Sequence, residues 1–185
     1  LWEGLGYYSR VRNLQKAASI VMENCGGVFP RTYDQVHALP GIGDYTAGAI
    51  CSICFDLPTP AVDGNVLRVL SRVMEDGAPI TNQKTKTAYR EALVPLYKKG
   101  PRGTLTQALM ELGAMVCVPN GAPQCAACPL QGLCRANAHG TWGTYPVREA
   151  KRARREEEKT VFYLTCEDSL AVRKRPGKGL LAGLW

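Results

Sequence analysis

The chain has 185 residues, 45% apolar and 21% charged, a balance that excludes intrinsic disorder and fits one ordinary domain plus part of another. No apolar run approaches the ~20 residues of a membrane span and no basic-then-apolar leader opens the chain, so an intracellular protein with no membrane partner is expected. The charge of +7 is uneven, with 13 basic and 10 acidic side chains in residues 1–135 against 10 and 6 in residues 136–185. Net charge therefore argues only weakly for a polyanionic partner.

From Ser9 to Asn24 the apolar residues Leu14, Ala17, Ala18 and Val21 recur at i, i+3, i+4 and i+7, which predicts an amphipathic helix ending near Gly26-Gly27. A short helix is expected from Thr32 to Leu39, interrupted by Pro40-Gly41-Ile42-Gly43, and another from Tyr45 to Phe55. Further helices are predicted at Gly64–Met74, Asn82–Lys98 and Thr104–Cys117, and nothing up to that point reads as a strand. The charged run Lys151–Lys159 lacks an apolar face and reads as linker. Val161–Leu164 and Leu170–Arg173, separated by Glu167-Asp168-Ser169, predict a hairpin that opens a second domain. The chain starts without an initiator Met and stops inside the apolar run 180–185, so it is expected to be an internal part of a longer protein.

Four of the eight cysteines fall between Cys117 and Cys134, spaced C-x7-C-x2-C-x5-C through Cys125 and Cys128. A disulfide framework would spread its cysteines over a small secreted chain, whereas this crowding points to a metal centre. Structural zinc usually shows two separated C-x2-C pairs; one pair flanked by unequal loops favours one [4Fe-4S] cluster over zinc. Four free thiols are the plainer alternative.

The Leu39-Pro40-Gly41-Ile42-Gly43 turn joins two predicted helices and leaves backbone N–H groups of Gly41, Ile42 and Gly43 unscreened, so it can offer donors to a phosphate. Taken alone, a helix connection that uses glycine only for geometry is the better account, and the neighbouring motifs reverse that preference. Some twenty residues on, Val62-Asp63-Gly64-Asn65-Val66 puts a carboxylate at a predicted helix start. An N-cap is the ordinary reading. Amide donors and the helix dipole also favour an anion there, and an ionised carboxylate is what glycosidic cleavage needs to stabilise a cationic sugar.

Taken together, Gly4-Leu5-Gly6-Tyr7-Tyr8-Ser9-Arg10, the Leu39–Ile50 segment, Val62–Val66 and Met110-Glu111-Leu112-Gly113-Ala114 leading into the cysteines resemble the MutY adenine DNA glycosylase family, within the helix-hairpin-helix glycosylase group that includes endonuclease III. The resemblance spans the chain. It implies a mainly α fold: a helix-hairpin-helix glycosylase core at 1–140 carrying the iron-sulfur loop, a linker at 141–158, and at 159–185 the start of a truncated Nudix-like α+β domain that recognises oxidised guanine.

The implied reaction is hydrolysis of the N-glycosidic bond of adenine mispaired with 8-oxoguanine or guanine, after the base is flipped out of duplex DNA. Asp63 matches the carboxylate that stabilises the sugar cation, Asn65 and Tyr45 match residues that position the Asp and the sugar, and Tyr7 matches an intercalating tyrosine whose plainer role is packing with Tyr8. The resemblance places the general-acid Glu ahead of Leu1, so the chain as given is expected to be inactive alone. Glu111 belongs to another motif and reads as a structural polar contact. Tyr45 stands where strand-nicking relatives carry a Lys, which favours base removal without lyase chemistry. The first cysteine loop, Val118 to Gln124, has seven residues where the family pattern has six. A monomer is expected, in cytoplasm or nucleoid for a bacterium and in nucleus or mitochondrion for a eukaryote. The alternatives are a non-catalytic DNA-structure-binding scaffold and an endonuclease III-like glycosylase-lyase.

Overall fold

In the computed structural model, residues 2, 4–150, 156, 158, 160–179 and 182–184 are described. They fall into two compact units, 1–150 and 151–185. The predicted charged run 151–159 and the apolar run 180–185 lie largely outside the described residues.

The first unit is helical: α1 (Tyr8–Asn24), α2 (Tyr33–His37), α3 (Asp44–Phe55), α4 (Gly64–Met74), α5 (Gln83–Tyr97) and α6 (Arg102–Glu111), with a short α7 (Arg135–Ala138) after the cysteine loop. At its centre is α4, which is covered on almost every side: Val66, Leu67, Arg68, Val69, Ser71 and Arg72 are all buried. Val66 packs with Leu93 and Tyr97 of α5 and Leu109 of α6, while Leu67 packs with Ile80 and Tyr89. Burial on this scale, at roughly 25 cal/mol per Å² of apolar surface, anchors α4 more firmly than its eleven residues could anchor themselves.

A second cluster, Val36, Ala47 and Cys51 with Tyr33, Ile42, Ile50, Phe55 and Leu57, joins α2 and α3 across the Pro40–Gly43 turn. Gly41 in that turn has φ +80°, and a Cβ there would lie 2.8 Å from Asn13 Cβ of α1, so both conformation and space require glycine. In α3, a Cβ on Gly48 would lie 2.5 Å from the Pro60 carbonyl oxygen, so the helix runs flush against the 60–61 segment. A buried polar chain crosses three helices: Ser52 Oγ bonds Gly48 O (2.7 Å) and Thr106 Oγ1 (2.7 Å), and Thr106 Oγ1 also bonds Tyr97 Oη (2.9 Å). Each buried hydroxyl thus has a partner, which removes the penalty of desolvating it alone.

Four departures from the sequence pattern have physical causes. Of the predicted apolar stripe of α1 only Ala17 is buried, and Leu14 is 70% exposed, because α1 borders an open groove with the α2–α3 turn. The expected single helix from Thr104 to Cys117 is α-helical only to Glu111 and continues as a π-helical turn, Leu112–Val116. Its wider winding pairs Cys117 N–H with Leu112 O (2.7 Å), an i to i+5 bond, and releases the Gly113 carbonyl to accept from Arg68.

Residues 141–150, expected as the first part of a linker, belong instead to the first unit. Ile80 N–H donates to Val147 O (3.0 Å) and Glu149 N–H to Thr81 Oγ1 (3.4 Å). In the second unit the hairpin is present but shorter and shifted inward: β1 (Thr165–Cys166) pairs antiparallel with β2 (Ser169–Leu170) around Glu167-Asp168, with Glu167 at φ 51°. Ala171 N–H to Leu164 O (3.0 Å) extends the ladder by one rung. All four strand residues are exposed, so their alternation had no core to set its register.

Gly48→Ala should destabilise the first unit by about 1–3 kcal/mol, because the added methyl meets backbone rather than a side chain that could turn away. Chemical denaturation monitored by far-ultraviolet dichroism checks this; a midpoint equal to that of the unsubstituted chain would mean that α3 moves off the 60–61 segment at little cost.

Candidate active site and four-cysteine centre

Asp63 is the N-cap of α4. Its Oδ1 accepts from Val66 N–H (2.8 Å), and its Oδ2 accepts from Asn65 Nδ2 (2.9 Å). Capping and carboxylate placement are therefore the same interaction: the donors that start the helix aim the acid. Asn65 is held in turn, since its Oδ1 accepts from Arg68 Nη2 (2.8 Å). That assigns the Asn65 amide orientation, with its NH2 toward the carboxylate. Arg68, 4% exposed, spends its other donors on main-chain carbonyls, Nη2 to Gly113 O (2.5 Å) and Nε to Cys117 O (2.7 Å). Burial holds the Arg68 guanidinium below its usual pKa.

Asp63 and Tyr45 line one recess, together with Gly43, Asp44, Pro60 and the α5 residues Lys86 and Arg90. Tyr45 is 41% exposed and its hydroxyl points at Met110 Sδ (3.3 Å). The predicted catalytic residues Asp63, Asn65 and Tyr45 thus come together at the start of α4 and of α3. Glu111 does not join them: it is exposed and makes no hydrogen bond or ion pair among the described residues, so the expected structural polar contact is corrected.

The turn ahead of the recess is built as expected, with one refinement. Ile42 N–H donates to Leu39 O (3.1 Å), closing the turn, and its side chain packs into the α2–α3 cluster. Gly41 and Gly43 remain as the outward backbone donors, and Gly43 leads directly into the recess. Tyr7 stands at the N-terminus of α1 with φ 48° and is 72% exposed, with the Arg10 guanidinium 5.2 Å from its ring centroid. A non-glycine residue held left-handed and exposed is not serving a core, so packing with Tyr8 does not account for it.

Cys117, Cys125, Cys128 and Cys134 line a second, apolar recess beneath α4, with Val69, Leu112, Val116 and Trp142. None of the four forms a disulfide. Burial, and then the proximity of Cys134, Cys117 and Cys128, pushes the Cys125 thiol up. All four line that recess, and among the described residues no group of three or more His, Cys, Asp or Glu side chains is arranged to hold a metal ion.

Two groups that sequence reasoning missed close this region. Arg72, also 4% exposed, donates from Nη1 to Cys117 Sγ (3.2 Å) and Val118 O (3.1 Å), and from Nε to Trp142 O (3.1 Å) and Tyr145 O (3.0 Å). Glu75, at the C-terminal end of α4, accepts from Thr141 Oγ1 (2.5 Å) and bonds His139 Nδ1 (2.7 Å). The spacing of Arg68 and Arg72 at i, i+4 reads in sequence as a solvated face, so periodicity concealed them.

A helix-hairpin-helix motif model matches residues 26–53, the span from the end of α1 through the turn into α3. The adenine DNA glycosylase of Mus musculus is 37% identical, over all of this chain and 44% of its own length. That of Schizosaccharomyces pombe is 34% identical, over all of the chain and 49% of its own length. The chain is similar over its whole length to these adenine DNA glycosylases. It spans less than half the length of these curated relatives.

Two solved structures share the fold at TM-score 0.61. One is a thermostable thymine-DNA glycosylase, 28% identical, covering 69% of this chain and 58% of its own. The other is endonuclease III in a non-covalent DNA complex, 29% identical, covering 74% and 61%. Each covers more than two thirds of this chain, so the fold is shared with a thymine-DNA glycosylase and with endonuclease III, and specificity must be argued from the site.

The Thr141 and His139 bonds hold the Glu75 carboxyl below the usual glutamate range. The sign follows: a depressed folded pKa contributes stability above the ordinary range and loses it as pH falls through the depressed value. The melting temperatures of the chain and of Glu75→Gln should therefore differ at about pH 6 and converge toward about pH 3. A difference that stays constant with pH would assign the effect to shape rather than charge.

Proposed function

We propose that the chain carries the base-excision half of a monofunctional adenine DNA glycosylase acting as a monomer on duplex DNA that contains adenine opposite 8-oxoguanine or guanine. The observation that carries this reading is the Asp63 carboxylate, aimed by Val66 N–H and Asn65 into the recess that it shares with Tyr45. Whole-chain similarity to named adenine DNA glycosylases supports the substrate class.

In this mechanism Gly41 and Gly43 amides hold a backbone phosphate while Tyr7 fills the gap left by the flipped adenine. Departure of adenine breaks the bond between its N9 and sugar C1′, and the electron pair leaves with the base. Asp63 stabilises the positive charge left on the sugar, water adds its oxygen to C1′ and releases a proton, and the base leaves protonated. Family resemblance supplies the acid from residues ahead of Leu1. Asn65 and Arg68 keep Asp63 from swinging away during the charge change, and Tyr45 walls the sugar.

The four-cysteine recess fits one [4Fe-4S] cluster held by Cys117, Cys125, Cys128 and Cys134. Four cysteines lining one apolar recess, with the buried Arg72 guanidinium donating to Cys117 Sγ, support that reading. Bound there, the group supplies iron–thiolate bonds that close a loop with little apolar content of its own, and a centre able to change oxidation state. Residues 159–185 begin a Nudix-like domain in this reading, and the protein works where cellular DNA is kept.

A glycosylase-lyase is the second reading, favoured by one observation: Lys86 lines the same recess as Asp63 and could offer the amine that Tyr45 does not. Borohydride trapping on adenine-mispaired DNA separates them. The monofunctional reading expects no covalent product, and trapping abolished by Lys86→Met would establish the lyase.

In a chain extended to the length of the mouse relative, Asp63→Asn should lower single-turnover adenine excision at least about a hundredfold, with mismatch affinity within a fewfold. Near-normal excision would leave Asp63 as a helix cap. For the turn, Gly43 is the usable probe, because a Cβ there meets nothing within 4 Å, whereas Gly41 cannot accept one without strain. Gly43→Val should weaken binding to matched and mismatched duplexes alike; unchanged affinity would return the turn to a structural role. Iron and sulfide analysis of anaerobically prepared protein should find about four of each per chain. Stoichiometric zinc without iron would sink the cluster.

A further inference from the structure

Arg72 is buried, and no carboxylate is among its bonding partners. A guanidinium is charged throughout the physiological range, and taking it out of water without a counter-ion costs several kcal/mol. Main-chain carbonyls of Val118, Trp142 and Tyr145 satisfy its N–H donors but bring no negative charge. Arg68, one turn earlier on α4 and equally buried, has carbonyls and the Asn65 amide as its bonding partners, so two cations lie under one helix. Arg68 has the Asp63 carboxylate near it through Asn65, whereas Arg72 lines the four-cysteine recess, where Cys117 Sγ is 3.2 Å from its Nη1.

We propose that Arg72 is the counter-ion and hydrogen-bond donor of the Cys117 ligand, a positioning residue that sets how tightly the cluster is held and at what potential it changes charge. The proposal rests on the cluster reading above. Four thiolates on a [4Fe-4S] centre carry about −2 in the resting state, an anion for the Arg72 guanidinium to face. The rigid fork does two further things. Bonds to Trp142 and Tyr145 tie the segment after the cysteine loop to α4, and the bond to Val118 pins the first loop residue beside its ligand. The Cys134 sulfur lies 3.5 Å from the Arg72 carbonyl oxygen, so the first and last cysteines of the set both address this one residue.

The sign of the redox effect follows from electrostatics. A fixed cation and an N–H donor at a ligand sulfur stabilise the more reduced, more negative state of the cluster and so raise its potential. Removing them moves the potential to more negative values and makes the oxidised state easier to reach.

The test compares anaerobically prepared protein with its Arg72→Gln and Arg72→Lys variants, by iron content, loss of the cluster's visible absorbance in air, and midpoint potential. Arg72→Gln should lose its cluster roughly 10- to 100-fold faster, the range for removing a supporting hydrogen bond at a metal ligand, and show a more negative potential. Arg72→Lys keeps the charge but not the fork, so its potential should lie closer to that of the unsubstituted protein while its loss rate stays high. Iron in the unsubstituted protein with equal potentials and loss rates in all three overturns the inference and leaves the cluster reading standing. Absence of iron from the unsubstituted protein overturns the cluster reading and this inference with it. If Arg72→Gln does not fold, comparison of Arg72→Lys with the unsubstituted protein decides: an unmoved loss rate refutes the role.

Discussion

Two guanidiniums buried under α4 are the constraint on which the rest of the first unit depends. A helix covered on nearly all sides normally carries apolar residues throughout, yet Arg68 and Arg72 are each 4% exposed. Burying them requires a ring of acceptors, and the surrounding chain is shaped to provide it. The π turn at Leu112–Val116 releases the Gly113 carbonyl, the cysteine loop turns the Cys117 and Val118 carbonyls inward, and the 142–145 segment adds two more. Backbone geometry that looks irregular in isolation is the means by which these donors are satisfied.

The same helix joins the two chemical regions. Its N-cap is Asp63, its third residue after the cap is the amide that Asp63 accepts from, and Arg68 links Asn65 to the carbonyls that flank the first cysteine. The candidate catalytic carboxylate and the four-cysteine recess are therefore opposite ends of one hydrogen-bonded chain. Gly113 makes this possible by its size, since a Cβ there would stand 2.6 Å from Asn65 Cβ. Rigid support of this kind is what keeps a carboxylate oriented when charge develops next to it, and it lies on a helix rather than a loop.

Around that centre the recess draws on the α3 start for Gly43 and Tyr45 and on α5 for Lys86 and Arg90. Its charge is mixed: Asp44 interacts with His37 (3.0 Å) and Arg90 (3.7 Å), so positive groups at the rim are partly engaged. On the proposed function, phosphate recognition would then fall to backbone amides of the turn more than to a basic surface, in keeping with the near balance of 13 basic and 10 acidic groups in residues 1–135.

Much of this was legible in residue order. Helix positions followed from apolar periodicity, the turn from Pro40, Gly41 and Gly43, and the cap from Asp63, because each depends on neighbours within a few residues. The C-x7-C-x2-C-x5-C spacing already marked a four-thiol site, since closely spaced ligands need little from the rest of the fold. What only the tertiary structure decided was the fate of groups whose partners are distant in sequence. Arg68 and Arg72 sit at a spacing that reads as solvated, and Glu111 in an apolar helix reads as a structural polar contact. The burial of the first two depends on carbonyls 45 to 73 residues away, and the exposure of the third on which face α6 presents to α4. Segment 141–150 reads as linker for the same reason: polar and irregular by composition, it is held by acceptors and donors on α4 and at residues 80–81 that no local pattern encodes.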